Sequence, residues 1–201
     1  MKDKKDELRD YYIAARRAMS AAYAERLSAR IATNIFSLPG LLESDLIMIY
    51  HTAGSEVDTT VLIDMIINSG RGVVFPYIRD DEAIGVARVF SPRSADLAPG
   101  TLGIMEPVGR LRDNVAPEQL GAVVCPGVAF DEELGRLGRG GGHYDRFLRQ
   151  IKGKALLIGC AFDCQISKEP LPREEHDITM DVVVTESRVL PHGACGESAA
   201  G

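Results

Sequence analysis

VVCPGVAFDEELGRLGRGGGHYDRFL, residues 123–148, decides how the rest of the chain is read. It opens in an apolar, β-branched run from Ala122 to Cys125 that has the length of a buried strand. Pro126-Gly127 turns the chain, and Gly135, Gly138, Gly140, Gly141 and Gly142 follow, interleaved with Arg136 and Arg139. The stretch closes on Asp145 and on Phe147, Leu148 and Ile151, which repeat with helical spacing. A strand, a glycine-rich basic loop and a helix start together describe a phosphate cradle. Glycines let several backbone N–H groups face one anion, and a helix N-terminus adds partial positive charge. Arg136 and Arg139 can grip phosphate oxygens bidentately, and Asp145 stands where a Mg²⁺ ligand is useful. By composition alone the same loop also fits a flexible surface turn. No Gly-Lys-Ser/Thr follows it, so it is not a nucleoside-triphosphate P-loop, and His143 stands where G-x-G-x-x-G needs its last glycine.

Outward from this stretch the periodicity describes an α/β fold. Residues 4–18 read as a first helix, and Ser20 caps a second in which Tyr23, Leu27, Ile31 and Ile35 recur every four residues until Pro39-Gly40. Residues 46–50 form a strand, 51–58 a polar loop, 61–68 an apolar helix stopped by Gly70, and 73–76 the next strand. Strand, helix, strand is a βαβ unit, which implies a parallel sheet covered on both faces. Residues 83–90, 155–161 and 182–185 read as further strands, and 91–117 as a long excursion rich in Pro and Gly. The expectation is one domain over residues 1–190, with a disordered small-residue tail at 191–201. Ligands of open α/β sheets bind at the carboxyl ends of strands, so loops 51–58, 126–142 and 163–177 are expected to gather there.

Composition narrows the partners. The 201 residues are 45% hydrophobic, enough for one well-cored domain, and the net charge of −6 excludes a general nucleic-acid footprint. Within that acidic chain Arg136, Arg139, Arg146, Arg149, Lys152 and Lys154 form a local basic cluster. It suits one small polyanion, although a solvated helix face accounts for most of residues 146–154 individually. Cys125, Cys160, Cys164 and Cys195 show neither C-x-x-C nor zinc spacing. With a charged, signal-free N-terminus and no apolar run of membrane length, they lead to the expectation of a cytoplasmic protein.

PGVAFD followed by GRLGRGGGHYDRFL closely resembles the signature of the 5-formyltetrahydrofolate cyclo-ligase (5,10-methenyltetrahydrofolate synthetase) family. That family reads P-G-x-x-F-D, a short gap, then R-L-G-x-G-x-G-aromatic-Tyr-Asp, and His143 departs from it where an aromatic residue is usual. The resemblance implies a three-layer α/β/α fold with a mostly parallel, Rossmann-like sheet of the NagB/ribose-phosphate-isomerase/CoA-transferase kind, preceded by a helical segment. It implies ATP contacts from Arg136, Leu137, Gly138, Arg139, Gly140, Gly141, Gly142, His143 and Tyr144. Lys5 and Arg9, in KDELR, are similar to the family's K-x-x-L-R and would contact nucleotide phosphates. Gly54-Ser-Glu56-Val-Asp58-Thr59 is similar to the substrate loop, with Glu56 as the folate contact and His51 beside it, together with Arg139, Gly140, Gly141, Gly142 and His143. Asp58 or Thr59 is expected to cap the following helix. Glu106, in GIMEP, is expected near the site without an assigned role. PREEHDITMD, residues 172–181, is similar to P-x-x-x-H-D…D, and it implies Asp181 as a second Mg²⁺ ligand with Asp145.

The activity implied is ATP-dependent cyclisation of 5-formyltetrahydrofolate, with or without a polyglutamate tail, to 5,10-methenyltetrahydrofolate, with ADP and phosphate released, by a monomer, a homodimer being the alternative. Arg136, Arg139 and Asp145 would carry the catalysis, with Mg²⁺ as cofactor. Two other readings compete: an ATP-dependent small-molecule kinase, and a non-catalytic nucleotide- or sugar-phosphate-binding module on the same fold.

Overall fold

The computed structural model describes residues 2–90, 96–100 and 105–191. Five α-helices are described: α1 (Lys2–Arg17), α2 (Ala21–Phe36), α3 (Pro39–Leu42), α4 (Thr60–Asn68) and α5 (His143–Ile151). The strands are β1 (Leu46–Ile49), β2 (Gly72–Ile78), β3 (Ile84–Val89), β4 (Leu97–Pro99), β5 (Met105–Pro107) and β6 (Ala122–Pro126), then β7 (Ala129–Asp131), β8 (Arg136–Leu137), β9 (Leu156–Cys160), β10 (Ile166–Ser167), β11 (Val182–Val184) and β12 (Val189–Leu190). Local chemistry sets several of these limits. Ser20 is extended, and its hydroxyl accepts from the Tyr23 N–H at 3.3 Å, which starts α2 one residue later. Ahead of α4 the carboxylate of Asp58 accepts from the Thr60 N–H at 2.9 Å. Gly70, at φ 83°, ends that helix with its N–H on the Ile67 carbonyl.

Seven strands form one sheet in the order β12-β11-β9-β6-β1-β2-β3. The five central strands run parallel, and only the edge strands β3 and β12 are antiparallel. Successive side chains of β1 go to opposite faces. Ile47 and Ile49 join Leu27, Ile31, Ile35, Leu62 and Ile66 of α2 and α4 in one core, while Met48 joins Phe147, Leu148 and Ile151 of α5 in the other. Helices therefore cover both faces, as the apolar runs require.

The chain leaves β1 for β2 on one side, whereas β6 and the strands after it lie on the other. This reversal makes the carboxyl ends of β1 and β6 a topological switch point, the place where such sheets open a crevice. The 91–117 excursion holds the short antiparallel pair β4–β5 in its described part.

The segment after β6 departs from the single long loop read at 126–142. Residues 129–137 fold into the hairpin β7–β8, which shortens the glycine loop to residues 138–142. Asp131 makes this hairpin: it is 1% exposed, and its carboxylate accepts from the Gly135 N–H at 2.7 Å and from the Leu171 N–H at 2.8 Å. β10 then adds in parallel to β7. The tail expected to be disordered falls, from residue 192 onward, outside the described residues.

Candidate active site

A cavity of about 660 Å³ opens at the switch point. Its floor is the end of β6, with Pro126, Gly127 and Val128, and one wall is the glycine loop. Gly142 has φ 64° and caps α5, and Gly140 has φ 101° with the Arg9 guanidinium carbon 3.4 Å from where a Cβ would stand. Both conformations are ones an L side chain adopts only with strain. The loop after β1 brings Tyr50, His51, Ala53 and Glu56, and β2 brings Pro76, Tyr77 and Ile78. The segment before β11 brings Glu174, His176 and Asp177, and α1 lays Lys5 and Arg9 across the opening.

Most of the expected site residues meet here. Lys5, Arg9, His51, Glu56, residues 136–145 and Glu106 all line the cavity. Arg9 donates from Nε to the Gly138 carbonyl at 2.9 Å and also pairs with Asp6. Arg139, with 59% of its side chain exposed, donates to Glu56 Oε1 at 2.6 Å, and Glu56 Oε2 accepts from the Ala53 N–H at 3.1 Å. This pair ties the glycine loop to the loop after β1. Glu106 is buried and accepts from Arg112 at 3.3 Å. His143, opening α5, has Nδ1 2.8 Å from the Glu82 carbonyl oxygen and 2.9 Å from Arg146.

Two expectations change. Arg136 lines the cavity, but only 3% of its side chain is exposed, and its Nη2 donates to Asp145 Oδ1 at 2.8 Å. It holds Asp145 in place rather than standing free to grip a phosphate. Asp181 is not brought to Asp145. It lies immediately before β11, at the amino edge of a parallel strand and so across the sheet from the cavity; its Oδ2 accepts from the Leu157 N–H at 2.8 Å. Of the two aspartates in residues 172–181, Asp177 is the one that lines the cavity with Asp145, and the neighbouring Ile178 N–H donates to Asp145 Oδ1 at 3.2 Å.

Charge is balanced closely around Asp177. Lys5 Nζ lies 2.8 Å from its Oδ2 and 3.6 Å from Glu174, and the Glu174 N–H donates to the same Oδ2 at 2.9 Å. Burial works against ionisation of Asp177, yet the hydrogen bonds from Lys5 and the Glu174 amide, with the charges of Lys5 and His176, hold its pKa below the ordinary carboxylate value. Glu174, His176 and Asp177 also offer one ligand atom each within 4.8 Å of one another. The buried thiols of Cys125 and Cys160 are both pushed up to about 12 by burial, so neither is a thiolate nucleophile at neutral pH.

Arg16 was not singled out from the sequence. Only 5% exposed, it donates from Nε to Ser55 Oγ at 3.0 Å and from Nη1 to the Gly127 carbonyl at 3.4 Å, joining α1 to the ends of β1 and β6. Its signal was available: Lys5, Arg9, Tyr12 and Arg16 are spaced 4, 3 and 4 and share one helix face.

The sequence model of the 5-formyltetrahydrofolate cyclo-ligase family matches residues 1–186. The 5-formyltetrahydrofolate cyclo-ligase of Escherichia coli (strain K12) is 33% identical over 175 residues, which is 87% of this chain and 96% of that protein. The NMR structure of Aquifex aeolicus 5,10-methenyltetrahydrofolate synthetase matches with a TM-score of 0.81 and 39% identity, covering 92% of this chain and 91% of that one. A Mycoplasma pneumoniae 5,10-methenyltetrahydrofolate synthetase, 21% identical, shares the fold at a TM-score of 0.71 over 90% of this chain and 98% of its own. With the glycine loop, the loop after β1 and the N-terminal cations meeting in one crevice, and with this extent of match, the chain belongs to the 5-formyltetrahydrofolate cyclo-ligase family.

Proposed function

We propose that this enzyme joins 5-formyltetrahydrofolate with ATP and releases 5,10-methenyltetrahydrofolate, ADP and phosphate. Ring closure must expel the formyl oxygen, and oxide or hydroxide leaves poorly. Transfer of the γ-phosphoryl group to that oxygen turns it into phosphate, after which N10 can attack the formyl carbon. Phosphoryl transfer asks a protein for in-line placement and neutralised charge, with no covalent nucleophile. The two high-pKa thiols agree with such a site.

The observation that carries the reading is the Arg139–Glu56 pair, which joins the glycine loop to the substrate loop over the cavity at the switch point. On this reading the amides of residues 138–142, with Lys5, Arg9 and Arg139, take the phosphates. Glu56 accepts hydrogen bonds from the amide and amino edge of the pterin, beside His51. Where the family has an aromatic ring, His143 offers a smaller polar one at the mouth of α5.

Mg²⁺ is expected with ATP. Asp145 and Asp177 are the residues that would hold it, and their chemistry fits: both bonds described to Asp145 fall on Oδ1, leaving Oδ2 without a partner among the described residues. When bound, the ion supplies charge neutralisation on phosphate oxygens. Lys5 already occupies the space between Glu174 and Asp177, so it stands ready to exchange a carboxylate for a phosphate. A cytoplasmic setting suits the free, buried Cys125 and Cys160.

The test is an absorbance assay for the conjugated methenyl product. It is expected only when formyl-folate, ATP and Mg²⁺ are all present. A stable phosphorylated folate accumulating instead would make the enzyme a kinase, and ATP binding without folate-dependent hydrolysis would make it a binding module.

A further inference from the structure

Beside the main cavity, about 370 Å³ of space opens between α1 and the loop after β1. Arg9, Arg16, Arg17 and Arg139 line it, with Gly54 and Ser55, and it shares Arg9, Ala53 and Arg139 with the main cavity. Four guanidinium groups around one small space repel one another unless anions separate them. Two of them have such a partner in the chain: Arg9 pairs with Asp6, and Arg139 with Glu56. Among the described residues no carboxylate lies within ion-pair distance of Arg16 or Arg17.

Arg16 makes the imbalance costly. Its side chain is buried, and the two acceptors it reaches, Ser55 Oγ and the Gly127 carbonyl, are neutral. Burial disfavours its charge, and the carboxylate that acts on it, Glu56, is already paired with Arg139, itself a repelling cation. Arg17, next to it in sequence, is exposed, and its guanidinium makes no bond among the described residues. A tie between helix and loop needs one arginine. A cluster of four cations served by two carboxylates, Asp6 and Glu56, fits a site that waits for charge from outside the chain.

We propose that this arginine pocket is a subsite for an anionic group of a bound substrate, a carboxylate or a phosphate, gripped by Arg16 and Arg17. The proposal rests on the cyclo-ligase reading of the adjoining cavity, since the two substrates carry the two candidate anions. These are the glutamyl carboxylates of the folate and the phosphates of ATP. Guanidinium forks take either by the same bidentate hydrogen bonds.

Calorimetric titration of the full-length protein with ATP, with monoglutamyl and with triglutamyl 5-formyltetrahydrofolate separates the sources. Arg17→Gln, at an exposed position, leaves the fold intact and decides the matter even where Arg16→Gln fails to fold. The expected result is a loss of about tenfold in affinity for one substrate class with the other unchanged, the scale of one charge-assisted contact. A loss for the folates, larger for the triglutamate, assigns the pocket to glutamyl carboxylates; a loss for ATP assigns it to phosphate. Unchanged affinity for all three overturns the subsite, and so does equal weakening of all three, which is the mark of a diffuse field. A wild-type enzyme that turns over beside an unaffected Arg17→Gln variant removes the subsite alone. A wild type that binds both substrates but forms no methenyl product removes the cyclo-ligase reading alone.

Discussion

Arg139 and Arg136 stand three residues apart in one loop and have opposite fates. Arg139 reaches out, mostly exposed, to Glu56; Arg136 turns inward to Asp145 with its side chain buried. On the proposed reading the outward one exchanges Glu56 for the phosphate, so Arg139→Ala should lower ATP-dependent turnover by about 10²–10³, the scale for one preorganised donor to a developing charge. Its exposure means the melting temperature should stay within a degree or two, which calorimetry checks beside the kinetics. Near-normal turnover at saturating ATP would remove Arg139 from the machinery. A second prediction concerns Asp177, whose folded pKa lies below its ordinary value of 3.8. Such a group adds stability at every pH above the unfolded value and loses it as the pH falls through the folded one. Asp177→Asn should therefore melt lower than wild type at neutral pH, with the gap closing below about pH 4. A gap that persists undiminished into strong acid would show that the Lys5–Asp177 pair is not its source.

At the scale of elements, the hairpin β7–β8 depends on one carboxylate. Asp131→Ala strands the buried N–H groups of Gly135 and Leu171, each costing roughly 1–3 kcal/mol, which amounts to a fall of about 5–15 °C in melting temperature for a chain this size. Differential scanning calorimetry reads it, and a shift under 2 °C would contradict this account of the hairpin. What the sequence disclosed follows the same division between local and distant causes. The βαβ unit, the cap at Ser20, the glycine at 70 and the helix after the glycine loop all come from neighbouring residues, and they stand where the periodicity put them. The hairpin was missed because Gly135 reads as part of a glycine run, while the acceptor that organises it lies four residues back and also serves Leu171, forty residues ahead. The resemblance to P-x-x-x-H-D…D implies Asp181, yet that pattern holds two aspartates, Asp177 and Asp181, and by itself does not say which faces the cavity. Strand direction separates them: a residue just before a parallel strand lies at the amino edge, away from the switch point.

For the molecule as a whole, the notable feature is how α1 is attached. Its apolar contacts form a small cluster of their own, Tyr12 with Val128, Ala129, Leu137 and Leu171, apart from the two cores that flank the sheet. Its other ties are polar: Lys5 to Asp177 and Arg9 to the Gly138 carbonyl at the main cavity, and Arg16 to Ser55 and Gly127 beside the arginine pocket. An element held by few buried apolar contacts opens locally at lower cost than the sheet does. A nucleotide that draws on Lys5 and Arg9 would add its binding energy to that same attachment. ATP at a hundred times its dissociation constant contributes about 2.7 kcal/mol to whatever opening releases it. Hydrogen exchange of the α1 amides around Leu8 and Tyr12 should then slow by roughly a hundredfold on ATP saturation, while the amides of β1 and β6, limited by global unfolding, should slow no more than that. The double variant Lys5→Met, Arg9→Met should lose this protection even at ATP concentrations that fill the glycine loop. Protection of α1 that ATP leaves unchanged would mean that the helix is a fixed wall of the site rather than a part that ligand binding fastens.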